Sequence, residues 1–215
     1  MECCQAAGIE KLIDPRMAAK ELKQYRKRGA DKTTRLLLDA LKSEGVEGMT
    51  LLDIGGGVGA LQHDLLKAGA KSATSVDASS SYLEAAEKEA KRQGHVERIS
   101  QHHGDFVKLA EKIAAADIVT LDRVICCYDD MERLVGLSAE RASKLYGVVY
   151  PPDGRLIKAL TWLENLYHRI KRNQFRTFAH ATMAVDAVIR SSGLERIFAH
   201  ETLLWHVHVY RRRSI

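Results

Sequence analysis

A glycine-rich segment directly follows an apolar run at residues 51–54. Residues 51–54 are apolar apart from Asp53, and glycines stand at positions 55, 56, 57 and 59. A strand, a glycine turn and a helix in this order bring backbone N–H groups close to a ligand, because glycine leaves room and the helix amino terminus attracts anions. The Asp53 carboxylate suits a ligand ammonium, directly or through water. The segment therefore predicts a site for a ligand that carries both charges.

Two further acidic residues end or follow the next two predicted strands. Asp77 directly follows Val76, and Asp105 precedes Phe106. At the carboxyl edge of a parallel sheet, Asp77 can accept hydrogen bonds from both hydroxyls of a ribose. Asp105 can accept from the amino group of an adenine, with Phe106 packed on the ring. Taken singly, either acid also fits a helix cap, but three such positions at one edge favour a nucleoside ligand.

Short apolar runs alternate with amphipathic helices from residue 50 onward, which is typical of a parallel sheet covered by helices. Strands are predicted at 50–54, 73–76, 99–102, 118–121 and 145–149, and the runs 194–199 and 203–210 are close enough to form an antiparallel hairpin. The predicted fold class is α/β, a doubly wound, mostly parallel seven-stranded sheet with a C-terminal antiparallel hairpin. Capping boxes predict helix starts at Ser81 and Asp129. A helix over 155–172 is expected to bury an apolar face that includes Leu156, Leu160 and Leu163.

The amino-terminal segment predicts two helices, over 15–28 and 31–44, with a break at Gly29. We expect residues 1–45 to form a helical lid hinged at Gly29, and residues 46–215 to form the ligand-binding domain. The lid would bring Tyr25 near the reacting atoms and Arg28 or Lys32 near a ligand carboxylate. The alternative is a solvated basic helix.

Composition excludes several classes of protein. The 215 residues are 46% hydrophobic and 28% charged, as in globular proteins, and the net charge of +5 permits a nucleic acid partner without requiring one. Adjacent cysteines, Cys3 with Cys4 and Cys126 with Cys127, cannot close disulfide loops, and neither a signal peptide nor a membrane span is predicted. We therefore expect a cytoplasmic protein. No metal is assigned, because the histidines, His206 and His208 included, have no carboxylate at ligand spacing.

The motifs LLDIGGGVG, VDAS, GDF and ADIVTLDRVICCY, in this order, resemble the motif series of class I S-adenosylmethionine-dependent methyltransferases. The resemblance covers residues 50–150 and is nearest to the small, capless enzymes of the ubiquinone and magnesium-protoporphyrin type. It implies S-adenosyl-L-methionine as cofactor. Together with the lid hypothesis, it gives the expected cofactor-binding residues as Tyr25, Arg28, Asp53, Gly55, Gly56, Gly57, Gly59, Asp77, Ala78, Asp105, Phe106 and Asp122. Cys126 stands where the porphyrin enzymes have a histidine, which argues against a porphyrin acceptor.

The methyl acceptor is the part that the sequence leaves open. The segment after the fourth strand lacks the Asn-Pro-Pro-Tyr type of motif that accompanies amino-group methylation, and a separate RNA- or protein-recognition domain is not evident. The expected reaction is therefore in-line methyl transfer to a small molecule, with catalytic candidates Tyr25, Asp122, Tyr128 and His180. Alternatives are an RNA or protein methyltransferase, a non-catalytic S-adenosylmethionine-binding protein, or a nicotinamide-dependent oxidoreductase, since Gly55, Gly57 and Ala60 also satisfy the dinucleotide pattern.

Overall fold

The computed structural model describes residues 4–213, with side chains from residue 7 onward, so Cys3 and the Cys4 thiol lie outside the described part. Its centre is a seven-stranded sheet of order β3-β2-β1-β4-β5-β7-β6. The strands are β1 (Thr50–Ile54), β2 (Ser72–Asp77), β3 (Ile99–His103), β4 (Ala116–Asp122), β5 (Ala142–Tyr150), β6 (Leu194–Glu201) and β7 (His206–Arg212). Strands β1 to β5 are parallel, whereas β7 is antiparallel to both β5 and β6. The predicted fold class is confirmed.

Nine α-helices surround the sheet within the described residues. They are α1 (Cys4–Leu12), α2 (Pro15–Arg28), α3 (Lys32–Ser43), α4 (Ala60–Lys67), α5 (Ser80–Gln93), α6 (Phe106–Leu109), α7 (Met131–Glu140), α8 (Arg155–Ile170) and α9 (Thr182–Ser191). Helices α3 and α4 pack on one face of the sheet, and α6, α7 and α9 pack on the other. Neighbouring residues of β1 enter opposite layers, Leu51 with α3 and α4 and Leu52 with α7, as the alternation of a strand requires. Within residues 4–213, every helix is too short or too polar to cross a lipid bilayer.

The amino-terminal helices differ in how deeply they are built into the fold. Helix α3 buries Leu37, Leu38 and Leu41 against β5 and β7, so it belongs to the core. Helix α2 lies against α5, where the Arg26 guanidinium is 2.7 Å from the buried Glu89 carboxylate. Helix α1 was not predicted. The division of the chain at residue 45 stays a prediction. Within the predicted lid, α1 and α2 are the helices that could act as a cover, because α3 belongs to the core.

The expectation of a buried apolar face on α8 is wrong. Leu156, Leu160 and Leu163 are about half exposed, and Trp162 and Tyr167 of the same helix are 63% and 58% exposed. Only Ile157 and His168 of this helix are buried. Helical spacing of apolar residues shows that a helix is amphipathic, but it does not show which surface the apolar side faces.

Three predicted element boundaries also need correction. Helix α5 is capped by Ser79, whose hydroxyl accepts from the Tyr82 N–H, rather than by Ser81. Helix α7 is capped by Asp130 rather than Asp129, because the Asp130 side chain reaches the N–H group three residues on. Strand β7 begins at residue 206, since residues 202–205 form the hairpin turn, closed by the Thr202 N–H on a carbonyl of that turn.

Candidate functional site

The glycine turn lies between β1 and α4 and has an unusual backbone. Gly55, Gly57 and Gly59 have φ of +67°, +55° and +83°, a left-handed region that side chains disfavour. A Cβ added to Gly57 would meet nothing within 4 Å, so the backbone there borders open space. The turn therefore presents bare backbone next to the amino terminus of α4, as the sequence predicted.

Asp77 ends β2 and holds the turn in place. Its Oδ2 accepts the Gly57 N–H at 3.0 Å and its Oδ1 accepts the Ser79 N–H at 2.8 Å. The side chain is buried, and desolvation raises the pKa of Asp77 against the lowering effect of both N–H donors. The carboxylate thus borders the same cavity as Gly57 and Ala78 while keeping lone pairs for a ligand.

Asp53 lies beneath the turn. Its carboxylate accepts from the Thr120 hydroxyl at 2.7 Å and from the Gln62 amide at 3.0 Å. Burial raises the pKa of Asp53 to about 7, with smaller contributions in the same direction from Asp122 and Asp77. Gly56 is needed here for space, because a Cβ at that position would come within 2.6 Å of the Asp53 Oδ2.

Asp105 follows β3 and is joined to the loop after β4. It caps α6 through the Val107 N–H at 3.0 Å, and the Tyr128 hydroxyl lies 3.2 Å from each of its carboxylate oxygens. Phe106 is buried in the core and also lines the cavity. His180 Nε2 lies 2.8 Å from the Tyr128 carbonyl oxygen, and the residue is outside the described lining of the cavity. His180 therefore contacts the Tyr128 backbone.

Asp122 ends β4 and forms a cluster with an arginine that sequence reasoning missed. The Thr34 hydroxyl donates to Asp122 at 2.5 Å, and the Arg123 guanidinium donates to Asp122 at 3.0 Å and to Asp31 at 2.5 Å. Desolvation raises the pKa of Asp122, while the Arg123 charge lowers it. Arg123 has φ of +62° and lies over the Trp205 ring, 5.9 Å from its centroid. The signal in the sequence for this cluster was a basic residue directly after the acid that ends β4.

Tyr25 and Arg28 of α2 both line the cavity. The Tyr25 hydroxyl is already engaged, because it donates to Asp64 of α4 at 3.1 Å. The Tyr25 ring packs with Val58 of the glycine turn, so α2 covers the turn from outside. Lys32 is exposed and outside the described lining. The catalytic role of Tyr25 stays a prediction.

Helix α1 also lines the cavity, through Ile9 and Leu12. A Cβ on Gly8 would lie 2.6 Å from the backbone nitrogen of Phe175, so only glycine permits this close approach of α1 to the segment after α8. Two residues further along α1, Glu10 accepts a hydrogen bond from the Ser80 N–H at the start of α5, at 2.9 Å. Helix α1 thus bridges two parts of the cavity rim.

These elements enclose one cavity of about 1020 Å³ that runs from the glycine turn to α8 and the hairpin turn. Ionisable side chains around it are unbalanced, with seven acids against three bases, although the whole chain has a net charge of +5. They are Glu21, Asp31, Asp53, Asp77, Asp105, Asp122 and Glu164 against Arg28, Arg35 and Arg123. An acid-rich cavity favours a cationic ligand over a polyanion.

The hairpin brings a carboxylate to two histidines that were expected to have none. Antiparallel pairing of β6 with β7 sets Glu201 opposite His206, and the ligand atoms of Glu201, His206 and His208 lie within 4.8 Å of one another. The expectation that no carboxylate accompanies these histidines is wrong. Antiparallel pairing across the turn brings Glu201 next to them, although it has no ligand spacing to them in the sequence.

Comparison with known proteins agrees with this geometry. Residues 51–142 match the family model described as a methyltransferase domain. No curated protein sequence matches the chain. Among solved structures, magnesium protoporphyrin IX methyltransferase from Synechocystis PCC 6803 with bound SAH superposes with a TM-score of 0.67 at 17% identity, covering 84% of this chain and 82% of that one.

Two further structures share the fold. An O-methyltransferase family protein from Burkholderia thailandensis has a TM-score of 0.71 at 18% identity, over 94% of this chain and 61% of that one. An O-methyltransferase family 2 protein from Planctomyces limnophilus in complex with apigenin has a TM-score of 0.59 at 17% identity, over 86% of this chain and 63% of that one. Residues 51–142 are thus a methyltransferase domain, and the chain has the fold of class I S-adenosylmethionine-dependent methyltransferases.

Proposed function

We propose that this enzyme methylates a small-molecule acceptor bound in the part of the cavity farthest from the glycine turn. The observation that carries the proposal is the lining of that part by apolar and aromatic side chains from three elements. They are Ile157 and Leu160 of α8, Phe175 and Phe178 of the following segment, and Trp205 of the hairpin turn. An apolar, enclosed cavity with a few polar groups is typical of a small-molecule site.

The residues around the glycine turn fit S-adenosylmethionine in their chemistry. Asp77 would accept from the ribose hydroxyls, and Asp105 from the adenine amino group, with Phe106 against the ring. Gly55, Gly56, Gly57 and Gly59 and the start of α4 would face the methionine carboxylate, with Arg28 contributing from α2. Asp53 would hold the ammonium through water, because its oxygens already bond Thr120 and Gln62. The excess of acids around the cavity complements the positive sulfonium and ammonium groups.

The chain's own contribution to the reaction is alignment. The cofactor supplies a methyl group already activated on a sulfonium, so the enzyme needs a base only if the acceptor proton must leave first. Orientation of the two reactants can lower the barrier by about 7 to 11 kcal/mol in favourable cases. Of the catalytic candidates, Tyr25, Asp122 and Tyr128 border the cavity, and His180 would act on Tyr128 by fixing its backbone carbonyl.

Helices α1 and α2 would act as the cover that excludes water during transfer. Their contacts with the rest of the protein include the approach of Gly8 to Phe175, the hydrogen bond from Ser80 to Glu10, the ion pair of Arg26 with Glu89, and the packing of Tyr25 on the glycine turn. Gly29, with φ of +71° between α2 and α3, provides a point about which they can move. Helix α3 would stay fixed, since it is part of the core.

An RNA acceptor is the second candidate, because α2 carries exposed basic residues and a structural neighbour from Pyrococcus horikoshii is assigned as an RNA methyltransferase. The acid-rich cavity argues against a polyanion reaching the reacting atoms. The test is methyl transfer from labelled S-adenosylmethionine to three separate fractions of a cell extract: small molecules, RNA and protein. We expect label in the small-molecule fraction. Label in RNA or protein alone would reject the proposed acceptor class while leaving the enzyme class intact.

Replacing Asp77 by alanine is expected to weaken binding of S-adenosylhomocysteine by about 1 to 3 kcal/mol, because a charged acceptor of two hydroxyl hydrogen bonds is lost. Isothermal titration calorimetry measures the change. Asp77→Asn is the matched variant, since it keeps the shape and one oxygen and should lose less affinity. Equal affinity of the native protein and Asp77→Ala would remove Asp77 from the cofactor site.

Cofactor affinity is expected to rise with pH up to about pH 7 and then level off. In the free protein the pKa of Asp53 is about 7, and a bound ammonium lowers it, so binding below pH 7 requires loss of a proton. The affinity for S-adenosylhomocysteine should therefore increase up to about tenfold per pH unit between roughly pH 5 and 7. Calorimetry in buffers of different ionisation enthalpy also measures the released proton.

The matched variant for this pH dependence is Asp53→Asn, which keeps the side-chain shape. Its new amide can donate to Gln62 Oε1, a buried oxygen without a hydrogen-bond partner among the described residues. This variant should bind with nearly constant affinity between pH 5 and 8. A native protein with pH-independent affinity, or a variant that keeps the full slope, would show that Asp53 does not titrate with binding.

A further inference from the structure

The end of the β6–β7 hairpin holds three side chains with the chemistry of a metal site, outside the described lining of the cofactor cavity. Register pairs Glu201 with His206, and His208 lies two residues further along β7 on the same face as His206. The histidines are 8% and 0% exposed, whereas the Glu201 side chain is 59% exposed. The cluster is therefore buried on the imidazole side and open to solvent on the carboxylate side.

Each imidazole of the cluster has one nitrogen without a hydrogen-bond partner. His206 Nδ1 and His208 Nε2 are buried and have no hydrogen-bond partner among the described residues. His208 Nε2 is 3.7 Å from Glu201 Oε1, close to the roughly 3.4 Å between ligand atoms of a tetrahedral zinc ion with bonds of about 2.1 Å. Buried polar atoms without partners are uncommon in folded proteins, and an unplaced ion is one explanation.

A tyrosine orients one of the histidines as it would orient a ligand. The Tyr150 hydroxyl is 3.3 Å from His208 Nδ1, the nitrogen on the other side of the ring from the free Nε2. When Nδ1 carries the proton and donates it to this hydroxyl, Nε2 has a free lone pair. Metal-binding histidines generally have such a partner on their second nitrogen, and it fixes both tautomer and ring orientation. Tyr150 belongs to β5, so the orientation is built into the sheet.

We propose that Glu201, His206 and His208 bind a divalent transition-metal ion, with Zn²⁺ as the favoured ion. Two imidazole nitrogens and one carboxylate oxygen are a zinc ligand set, and the fourth position is left for water. Mg²⁺ and Ca²⁺ are disfavoured because they prefer oxygen ligands throughout. The nearby Arg196 is paired with Asp186 at 3.7 Å, which reduces its repulsion of a cation.

Metal at this position would fix the turn of the hairpin. Residues 202–205 connect Glu201 to His206. Trp205 of this turn lines the cavity and lies under the Arg123 guanidinium. Crosslinking the two strands at the base of the turn would therefore set the position of Trp205. This role is separate from methyl transfer and does not depend on the identity of the acceptor.

The test uses the full chain without a histidine tag, freed of metal by a chelator, and titrates it with Zn²⁺ in a calorimeter and with Co²⁺ by visible absorption. We expect one equivalent of metal, and a Co²⁺ spectrum of a four-coordinate site with nitrogen and oxygen ligands. Glu201→Gln should weaken Zn²⁺ binding at least about tenfold without unfolding the protein, because Glu201 is exposed. His206→Gln should abolish binding. Circular dichroism of each metal-free variant checks its fold.

Glu195→Gln is the matched control, since Glu195 is an exposed carboxylate on the same strand, 3.8 Å from Arg213 rather than near the histidines. It should bind Zn²⁺ like the native protein. Tyr150→Phe should bind about tenfold more weakly, through loss of the second-nitrogen partner. The proposal is overturned if the native protein does not bind Zn²⁺, or if Glu201→Gln binds it as tightly as Glu195→Gln, in which case thiols or other histidines are the ligands.

Discussion

Replacing Gly57 by valine is expected to abolish binding of S-adenosylhomocysteine, with affinity falling at least about 100-fold as more than roughly 3 kcal/mol of binding energy is lost. A Cβ at Gly57 meets no protein atom within 4 Å, so the added side chain would project into the cavity where the backbone must meet the ligand. The Gly57 N–H also donates to Asp77, and a residue with φ of +55° tolerates valine poorly, so the turn itself would move. Calorimetry with S-adenosylhomocysteine measures the loss.

Gly94→Val separates backbone strain from loss of the site. Gly94 has φ of +72° and also has open space around its Cβ position, but it ends α5 away from the cavity. Both variants should lose about 1 to 2 kcal/mol of folding stability from the left-handed backbone, and only Gly57→Val should lose the ligand. Tight binding by a folded Gly57→Val protein would mean that the turn does not hold the cofactor.

Deleting residues 1–29 is expected to leave a folded domain that binds cofactor on the order of tenfold more weakly and has lost methyl transfer. The core layers and α3, with its cap at Asp31, remain in the truncated chain. What is lost is the packing of Tyr25 over the glycine turn and the bridge that α1 makes across the cavity rim. Water would then reach the reacting atoms, and the acceptor would be held less firmly.

A point variant tests the same cover without truncation. Gly8→Leu should force α1 away from Phe175, because even a Cβ at this position comes within 2.6 Å of the Phe175 backbone nitrogen. Lys11→Leu adds the same side chain at an exposed position of the same helix and is the control. Reduced transfer in Gly8→Leu alone supports a closing α1. Unchanged cofactor affinity in the truncated chain, together with full activity of Gly8→Leu, would contradict the lid proposal.

The clustering of acids at one edge of the sheet could be predicted from sequence, because neighbouring parallel strands end at the same edge. Asp53, Asp77 and Asp105 stand at or just after the ends of β1, β2 and β3, and parallel register brings the ends of these neighbouring strands together. Asp53 lies in a short apolar run before the glycines, Asp77 directly follows Val76, and Asp105 directly follows Gly104, so the position of each acid could be counted. The antiparallel ending followed from a connection too short for a helix.

Contacts made across the fold could not be predicted in this way. Arg123 meets Asp31 some ninety residues away, and Glu201 meets His206 only through the geometry of the turn between them. The periodicity of α8 indicated an apolar face, but Leu163 remains half exposed because that face is not packed on the sheet. Local pattern determines the type of an element, whereas its neighbours depend on how all elements pack.

The most direct test of the account is a comparison of ligands on the unmodified chain by thermal unfolding. S-adenosylhomocysteine, NAD and NADP are each added over a range of concentrations, and the midpoint temperature is followed. A ligand at about 100 times its dissociation constant stabilises the folded state by about 2.7 kcal/mol, so S-adenosylhomocysteine is expected to raise the midpoint by several degrees. No shift is expected with either nicotinamide nucleotide. A shift with NAD or NADP and none with S-adenosylhomocysteine would contradict it.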